Sequence, residues 1–280
     1  MSFSWELFVD ERPAVVMGVV NVTPDSFSDG GRYLDPGAAV AHGLALVQAG
    51  ADLLDVGGES SRPGAAPVDE GEERARVLPV IRRLVAEAGV PISVDTTKAA
   101  VADAAADAGA LVVNDVSAGR HDPRMLGVVA AAGTGFVAMH MQGEPRTMQL
   151  DPRYGDVVDD VAAFLEERLS FAVAAGIPEQ LICLDPGIGF GKTPDQNLEL
   201  VRRLDRIVAI GRPVLVGLSR KSVLGKLLGD PTARTGTTDA SVGAAVAAFA
   251  RGASLFRVHD VQPHVEALAA AAAVERGALA

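Results

Sequence analysis

The sequence contains one cysteine, Cys183, and this scarcity excludes an internal disulfide. The residue lies in the apolar run 181–184, which favours a buried small side chain over a reactive thiol. Chains without disulfides are typical of reducing compartments. We therefore expect a cytoplasmic protein.

Long apolar runs are also missing from the sequence. No stretch approaches the about 18 uninterrupted apolar residues that a membrane-spanning helix requires. Residues 1–13, MSFSWELFVDERP, carry acidic side chains and lack the continuous apolar segment of a signal peptide. We expect neither a membrane span nor a membrane partner.

Basic residues are outnumbered by acidic ones. The chain has 25 Lys and Arg against 36 Asp and Glu, which gives a formal net charge of −11. An acidic surface repels the phosphates of nucleic acids and of anionic lipids, so neither kind of partner is expected. An anionic small molecule remains possible as a substrate if its cationic partners are gathered in one place.

Apolar residues are plentiful and follow a regular pattern. They make up 49% of the chain, enough for a large core, and no change in composition marks a linker, so we predict a single domain over residues 1–280. Eight short apolar runs are each bounded by turn-forming or polar residues, as buried parallel strands are. The runs are VVMGVV (15–20), DLLDV (52–56), ISVD (92–95), LVVND (111–115), GFVAM (135–139), LICLD (181–185), VLVGL (214–218) and SLFRV (254–258).

Ala-rich segments with helical spacing lie between these runs. The clearest are 37–49, 70–87, 99–108, 157–175, 195–204 and 263–276. Strands alternating with helices over about 250 residues predict an α/β fold, the (β/α)8 TIM barrel. We place the barrel from about residue 13 to residue 279, after a short N-terminal extension at 1–12. A doubly wound open sheet has the same alternation and is the alternative.

The positions of the polar residues favour the barrel. They fall at the ends of the runs, at Asn21, Glu59, Asp95, Asn114, His140, Asp185, Ser219 and Arg257. In a barrel all strand ends ring one mouth, whereas in an open sheet only some of them meet. The segments 22–35 and 57–69, rich in Gly, Pro and Ser, follow the first two runs, and we expect them to fold over that mouth.

Eight sequence blocks around these positions closely resemble those of dihydropteroate synthases, in the order of that family. The blocks are NVTPDSFSDGG (21–31), DVGGESSRPGA (55–65), SVDTTK (93–98), NDVSAG (114–119), MHMQGEPRTMQ (139–149), DPGIGFGKT (185–193), GLSRKS (217–222) and FRVHD (256–260). The resemblance implies a transferase of folate biosynthesis that condenses 6-hydroxymethyl-7,8-dihydropterin diphosphate with p-aminobenzoate. The products would be 7,8-dihydropteroate and pyrophosphate, formed by an SN1-like displacement.

The resemblance also implies a pterin diphosphate site. A pterin presents an amino group beside a ring N–H, and a carboxylate in a dry pocket accepts two parallel hydrogen bonds from that edge. Asp185 matches the family position that does so, and Asp95 would stabilise positive charge on the ring. The implied site comprises Ser61, Asp95, Asn114, Met139, Asp185, Phe190, Gly217, Lys221, Arg257 and His259. Its catalytic residues would be Asp95, Lys221, Arg257 and His259.

The same resemblance implies how the diphosphate and the second substrate are bound. Arg257 and His259 alternate past the eighth strand, so both can point toward one phosphate site. Asn21 matches the family's Mg²⁺ position, and a single protein oxygen suffices for a hard cation that also binds a diphosphate. Ser61 stands where the family often has Thr and keeps the hydroxyl. The implied p-aminobenzoate site comprises Phe27, Ser61, Arg62, Pro63, Phe190, Lys221 and Ser222.

Two further properties follow from the resemblance. The family forms homodimers through helices late in the barrel, and the Ala-rich stretch 240–250 is a candidate for that contact. The segment 59–64 has no insertion against the family pattern, so we expect inhibition by sulfonamides, which mimic p-aminobenzoate.

Three alternative functions fit the sequence less well. A P-loop would require glycine at the position of Pro186, five residues before Gly191. A methyltetrahydrofolate-binding methyltransferase would share Asp95, Asn114 and Asp185 but leaves the SRPG, SRKS and RVH segments unexplained. A non-catalytic pterin-binding paralogue would have little need of diphosphate and metal groups.

Overall fold

Eight parallel strands form the centre of the structure, a computed structural model that describes residues 3–23, 35–60, 65–144 and 146–276. The strands are β1 (Val15–Asn21), β2 (Leu53–Gly57), β3 (Ile92–Asp95), β4 (Val112–Asp115), β5 (Gly135–Met139), β6 (Ile182–Asp185), β7 (Leu215–Val216) and β8 (Leu255–Val258). They pair in the order β6-β5-β4-β3-β2-β1-β8-β7, and a bridge between Leu184 and Val214 joins the two ends of that order. The result is a nearly closed barrel. The predicted fold class is therefore confirmed, and the open-sheet alternative is wrong.

The helices surround the barrel. They are α1 (Trp5–Asp10), α2 (Pro36–Gln48), α3 (Glu70–Glu87), α4 (Ala99–Asp107), α5 (Met125–Ala132), α6 (Val157–Ala174), α7 (Pro194–Arg202), α8 (Asp205–Val208), α9 (Ser222–Leu227), α10 (Thr238–Phe249) and α11 (Val261–Arg276), with a 3₁₀ turn at Glu179–Leu181. Several begin at a side chain that accepts hydrogen bonds from the first free backbone N–H groups, as Asp69 and Thr193 do. The predicted helices agree closely with those observed, but the short helices α1, α5, α8 and α9 were not among them. Helix α10 was named only as an Ala-rich stretch, 240–250, for a dimer contact.

Alternation along the strands divides the core into two parts. The outward side chains pack against the helices in the larger apolar cluster, which includes Val16 and Leu54. The inward side chains form a smaller cluster from Val15, Met17, Leu53, Val112, Val137, Cys183, Leu215 and Leu255, together with Trp5. The prediction that Cys183 is a buried apolar side chain is confirmed, since it is 0% exposed.

Trp5 closes the barrel at the end opposite to the strand C-termini. Most members of the inner cluster are the first or second residues of their strands, so the indole lies at the bottom of the barrel. Trp5 is 0% exposed and packs edge-on against Phe3 and Phe8. The N-terminal extension is thus a helical plug for the barrel floor. Its assignment with the barrel to one domain stays a prediction. Within the described ranges, no helix is long and apolar enough to cross a membrane.

We predict that Trp5→Ala lowers the free energy of unfolding by about 3–5 kcal/mol, because it leaves a cavity at the barrel floor. Leu7→Ala is the matched control, since Leu7 lies on the same helix and is 66% exposed. It should change stability by less than about 0.5 kcal/mol. Urea unfolding followed by circular dichroism measures both. Equal losses in the two variants would contradict the role of Trp5.

Candidate active site at the mouth of the barrel

One pocket collects most of the predicted site residues at the C-terminal ends of the strands. It is lined by Asp95, Asn114, Val116, Met139, Asp185, Gly187, Ile188, Phe190, Gly217, Ser219, Lys221, Arg257 and His259. Every residue predicted for the pterin diphosphate site is among them except Ser61. Strand ends that are far apart in sequence therefore converge as the barrel interpretation required.

The strand register explains the convergence. Asn114 stands two residues after Val112 and Asp185 two residues after Cys183, so both point inward one layer above the apolar floor. Asp95 has the equivalent position in β3, two residues after the buried Ser93. Asp95 pairs with Asn114 across β3 and β4. Met139 and Asp185 pair across β5 and β6 in the same way. A polar layer thus lies directly on an apolar one.

Arg257 organises this polar layer. Its Nε donates to Asp55 Oδ2 at 2.6 Å and its Nη2 to Asp95 Oδ2 at 2.8 Å. Asn114 Nδ2 donates to the same Asp55 oxygen at 3.0 Å. Arg257 is the third residue of β8, so the expectation that it lies past the strand is wrong. Its guanidinium reaches the pocket from inside the barrel wall, because alternate residues of a strand face the interior.

Asp55 is a residue of the site that the sequence interpretation missed. It is 0% exposed, and its Oδ2 accepts hydrogen bonds from both Arg257 and Asn114. The available signal was a carboxylate in the middle of the apolar run DLLDV (52–56). A charge in such a place is rarely buried without a partner. The partner, however, lies 202 positions away in the sequence.

Burial shifts the protonation equilibria of the pocket toward neutral pH. It raises the pKa of Asp95 to about 7, against the charge of Arg257 and with help from Asp55. It raises the pKa of Asp185 to about 6, although the Gly187 N–H donates to that carboxylate and Lys221 lies nearby. Burial also lowers the pKa of Lys221 to about 8. Such shifts are common where side chains take part in binding or catalysis.

The turn after β6 carries an aromatic ring into the pocket. Phe190 is nearly buried, and Lys221 Nζ lies 4.3 Å from the centroid of its ring. Lys192 of the same turn is buried and donates to the backbone at Gly187 O and Phe190 O. It therefore does not face a phosphate, which contradicts the P-loop alternative.

His259 is held at the rim of the pocket by Ser219. The backbone N of His259 donates to Ser219 Oγ at 3.1 Å, and its Nδ1 lies 3.1 Å from the same oxygen. Burial, followed by the charges of Arg257, Arg220 and Lys221, lowers the pKa of His259 to about 3. The imidazole is therefore neutral near pH 7 and carries one N–H, on either Nδ1 or Nε2.

Other predicted site residues lie outside the pocket or outside the described residues. Asn21 ends β1 beside Gly57 and is half-buried, but it does not line the pocket. Ser222 begins α9 and is also absent from the lining. Glu59 binds the ammonium of Lys98. The remaining predictions fall outside the described residues: Phe27, Ser61, Arg62 and Pro63.

Comparison with known proteins identifies the class to which this site belongs. A family profile described as pterin binding enzyme matches residues 17–259, so the barrel and its pocket are those of a pterin-binding enzyme. The dihydropteroate synthase of Mycobacterium leprae (strain TN) is 48% identical over 262 residues, which cover 91% of this chain and 92% of that protein. The chain belongs to the dihydropteroate synthase family.

Solved structures agree with this assignment. The Xanthomonas albilineans dihydropteroate synthase with 4-aminobenzoic acid is 50% identical, with a TM-score of 0.87 over 95% of this chain and 94% of that one. The Yersinia pestis enzyme in a sulfonamide drug complex is 44% identical, with a TM-score of 0.87 over 94% of each chain. The family resemblance found in the sequence is confirmed.

We predict that Asp185→Asn weakens pterin binding at least about tenfold without lowering stability at pH 8. Asparagine keeps an acceptor for the Gly187 N–H but loses one of the two charge-assisted acceptors for the pterin edge. Burial raises the pKa of Asp185, so the folded protein favours the protonated carboxyl group. This stabilising contribution is fully present below the ordinary pKa of 3.8 and is lost as the pH rises through about 6. The ionised carboxylate therefore costs stability at pH 8.

Calorimetric titration with a dihydropterin and thermal unfolding at pH 4 and pH 8 measure the two effects. The variant should melt at an equal or higher temperature than the unaltered protein at pH 8, and this advantage should shrink toward pH 4. A lower melting temperature at pH 8, or unchanged pterin affinity, would refute the assignment of Asp185.

Proposed function

We propose that the chain condenses 6-hydroxymethyl-7,8-dihydropterin diphosphate with p-aminobenzoate to give 7,8-dihydropteroate and pyrophosphate. The observation that carries the proposal is the pocket that joins a buried carboxylate, Asp185, to the linked group of Asp55, Asp95 and Arg257. Asp185 can bind the edge of a pterin. The group of Asp55, Asp95 and Arg257 lies where charge would develop when diphosphate departs. Membership of the dihydropteroate synthase family supports the same conclusion.

The pterin would lie flat between the polar layer and the glycine-rich turn. Asp185 would accept hydrogen bonds from its amino group and ring N–H, and Asn114 offers an acceptor and a donor to neighbouring nitrogens. Lys221 would donate to the ring carbonyl. Gly217 lines the pocket, and no atom among the described residues lies within 4 Å of where its Cβ would be. The space that a side chain would fill is left for the heterocycle.

Departure of the diphosphate would leave a cation spread over the pterin. Arg257 and the neutral His259 are the donors placed to stabilise the leaving group, and Asp95 is the carboxylate placed beside the ring. The amine of p-aminobenzoate would then attack the methylene carbon. The single cysteine is buried in the barrel floor and has no access to that carbon. Catalysis would rest on electrostatic stabilisation and positioning rather than on a protein nucleophile.

Magnesium is part of this proposal, with Asn21 as its protein ligand. The described residues contain no group of three or more His, Cys, Asp or Glu that could enclose a metal. A half-buried amide oxygen at the end of β1 fits a Mg²⁺ ion that takes its other ligands from diphosphate and water. Such an ion would neutralise charge on the leaving group.

The second substrate would bind beside Phe190 and Lys221, which line the pocket. Ser222, at the start of α9, and the residues Phe27, Ser61, Arg62 and Pro63 belong to the same proposed site. The ammonium of Lys221 lies 4.3 Å from the centroid of the Phe190 ring, so one side of the pocket presents a cation and an aromatic ring together. This arrangement supports, by its chemistry, a site for a flat aromatic acid.

We also propose that the protein forms a homodimer and acts in the cytoplasm. Helix α10 presents small side chains that are only partly buried, among them Ala244 and Ala247. The neighbouring side chains of Leu227 and Leu228 are 61% and 62% exposed. Small residues and exposed leucines together are suited to a helix-to-helix contact. Light scattering of the purified protein would give its oligomeric state.

We predict that Asp95→Asn lowers turnover far more than it lowers pterin affinity. The amide keeps the size of the carboxylate but removes the charge that would stabilise the developing cation, so kcat should fall by about 100-fold or more. The dissociation constant for dihydropterin should change by less than about tenfold. Steady-state kinetics and calorimetry separate the two. Equal losses in both would count against cation stabilisation by Asp95.

The reaction itself is tested with dihydropterin diphosphate, Mg²⁺ and labelled p-aminobenzoate. We expect labelled dihydropteroate and one equivalent of pyrophosphate, and we expect a sulfonamide to inhibit competitively with p-aminobenzoate. The absence of product would contradict the proposed function, as would methyl transfer from methyltetrahydrofolate. Product formation that is indifferent to saturating sulfonamide would contradict only the expected mode of p-aminobenzoate binding.

A further inference from the structure

The turn after β6, residues 186–192, is built around one buried lysine. Lys192 is 2% exposed, and its Nζ lies 2.8 Å from His140 Nδ1, 2.9 Å from Gly187 O and 3.0 Å from Phe190 O. An ammonium has three N–H donors, so these three acceptors satisfy all of them. Lys192 thereby ties both ends of the turn to each other and to the segment after β5.

Backbone contacts also fix the turn against the segment after β5. A Cβ at Gly187 would lie 1.8 Å from His140 O, and one at Gly191 would lie 2.7 Å from Gln142 O. Both glycines also have positive φ, 68° and 63°, which other residues rarely adopt. The turn therefore requires glycine at these positions for its backbone conformation as well as for the close contacts. Tyr154 Oη donates to Gly191 O at 2.7 Å. The turn cannot move toward β5 and is held in place there by Lys192.

The same turn forms one wall of the pocket. Gly187, Ile188 and Phe190 all line it. The Gly187 N–H donates to Asp185 Oδ1 at 2.7 Å. Two of the three acceptors of Lys192 are the carbonyls of Gly187 and Phe190. Lys192 therefore supports the wall of the proposed pterin site through backbone hydrogen bonds, although it does not itself line the pocket.

Lys192 also contributes charge to the site. Lys221 after β7, Lys192 and Arg257 on β8 each oppose the rise that burial causes in the pKa of Asp185. Arg257 is already paired with two carboxylates, and Lys221 is proposed to bind the pterin.

The other titratable groups nearby do not replace the charge of Lys192. His140 is neutral, because burial and then Lys192 lower its pKa to about 2. His259 is neutral for the reasons given above, and Asp95 on β3 is a carboxyl group, which cannot supply a positive charge. Burial lowers the pKa of Lys192 to about 7, against the charge of Asp185, so Lys192 is protonated over the range in which Asp185 titrates.

We propose that Lys192 is a positioning residue that fixes the turn 186–191 and keeps Asp185 ionised, and thereby sets the lower pH limit of pterin binding. The inference rests on the proposed function, because pterin is the ligand assigned to Asp185. It differs from a purely structural role in one respect. Loss of the lysine charge must move a titration midpoint and must not merely weaken binding by a constant factor.

The test compares Lys192→Met with the unaltered protein and with Lys226→Met, which removes an exposed lysine on α9. The dissociation constant of 6-hydroxymethyl-7,8-dihydropterin is measured by calorimetry from pH 5 to pH 8.5. In Lys192→Met the pH at which affinity falls to half its maximum should rise by about one unit, from about 6 to about 7, so that binding at pH 6 weakens by about fivefold. Lys226→Met should reproduce the unaltered profile.

A Lys192→Met profile that superimposes on the unaltered one would overturn the inference, as would a loss of the same size at every pH. Should that variant fail to fold, Lys192→Gln removes the charge but keeps a donor for one carbonyl, and the same midpoint shift is expected of it. Absence of pterin binding by the unaltered protein would contradict the proposed function, and the inference with it. Normal binding by the unaltered protein with an unmoved midpoint in the variants would contradict the inference alone.

Discussion

Arg257 joins three strands across the mouth of the barrel, because its guanidinium binds Asp55 of β2 and Asp95 of β3 from its place in β8. Asn114 of β4 completes the connection through Asp55. Buried charges are tolerated only when they are paired and hydrogen-bonded, so loss of Arg257 would leave two carboxylates without their cation. The orientation of Asp95 toward the pocket therefore depends on an arginine that lies 162 positions later in the chain.

The two layers of the barrel interior have opposite effects on stability. The floor, with Trp5 and Met17, buries apolar surface and stabilises the fold. The polar layer above it holds Asp95 and Asp185 with raised pKa values, so their ionised forms are disfavoured by the fold near neutral pH. The apolar floor offsets the cost of burying the polar layer.

Much of this architecture could be predicted from the sequence, because each strand is short, apolar and bounded by polar residues. The strand ends and the family motifs together predicted that Asp95, Asn114, Asp185, Lys221 and Arg257 would meet, and they line one pocket. The role of Asp55 was missed, since its partners are set by the closure of the barrel and not by neighbouring sequence. The inward direction of Lys192 was missed for the same reason: a lysine after a glycine-rich turn is usually solvated. Trp5 gave no periodic signal in a helix of only six residues.

The barrel has one weak seam. Within the described residues, β6 and β7 are joined through a single bridge, Leu184 to Val214, whereas β1 and β2 share a five-residue register. Fewer cross-strand hydrogen bonds make this the place where local opening and amide exchange should occur most readily. Asp185 lies on one side of the seam, and Gly217 and Lys221 follow on the other. A flat heterocycle bound by residues on both sides would link β6 to the segment after β7. The ligand would thereby stabilise the barrel where strand pairing is weakest.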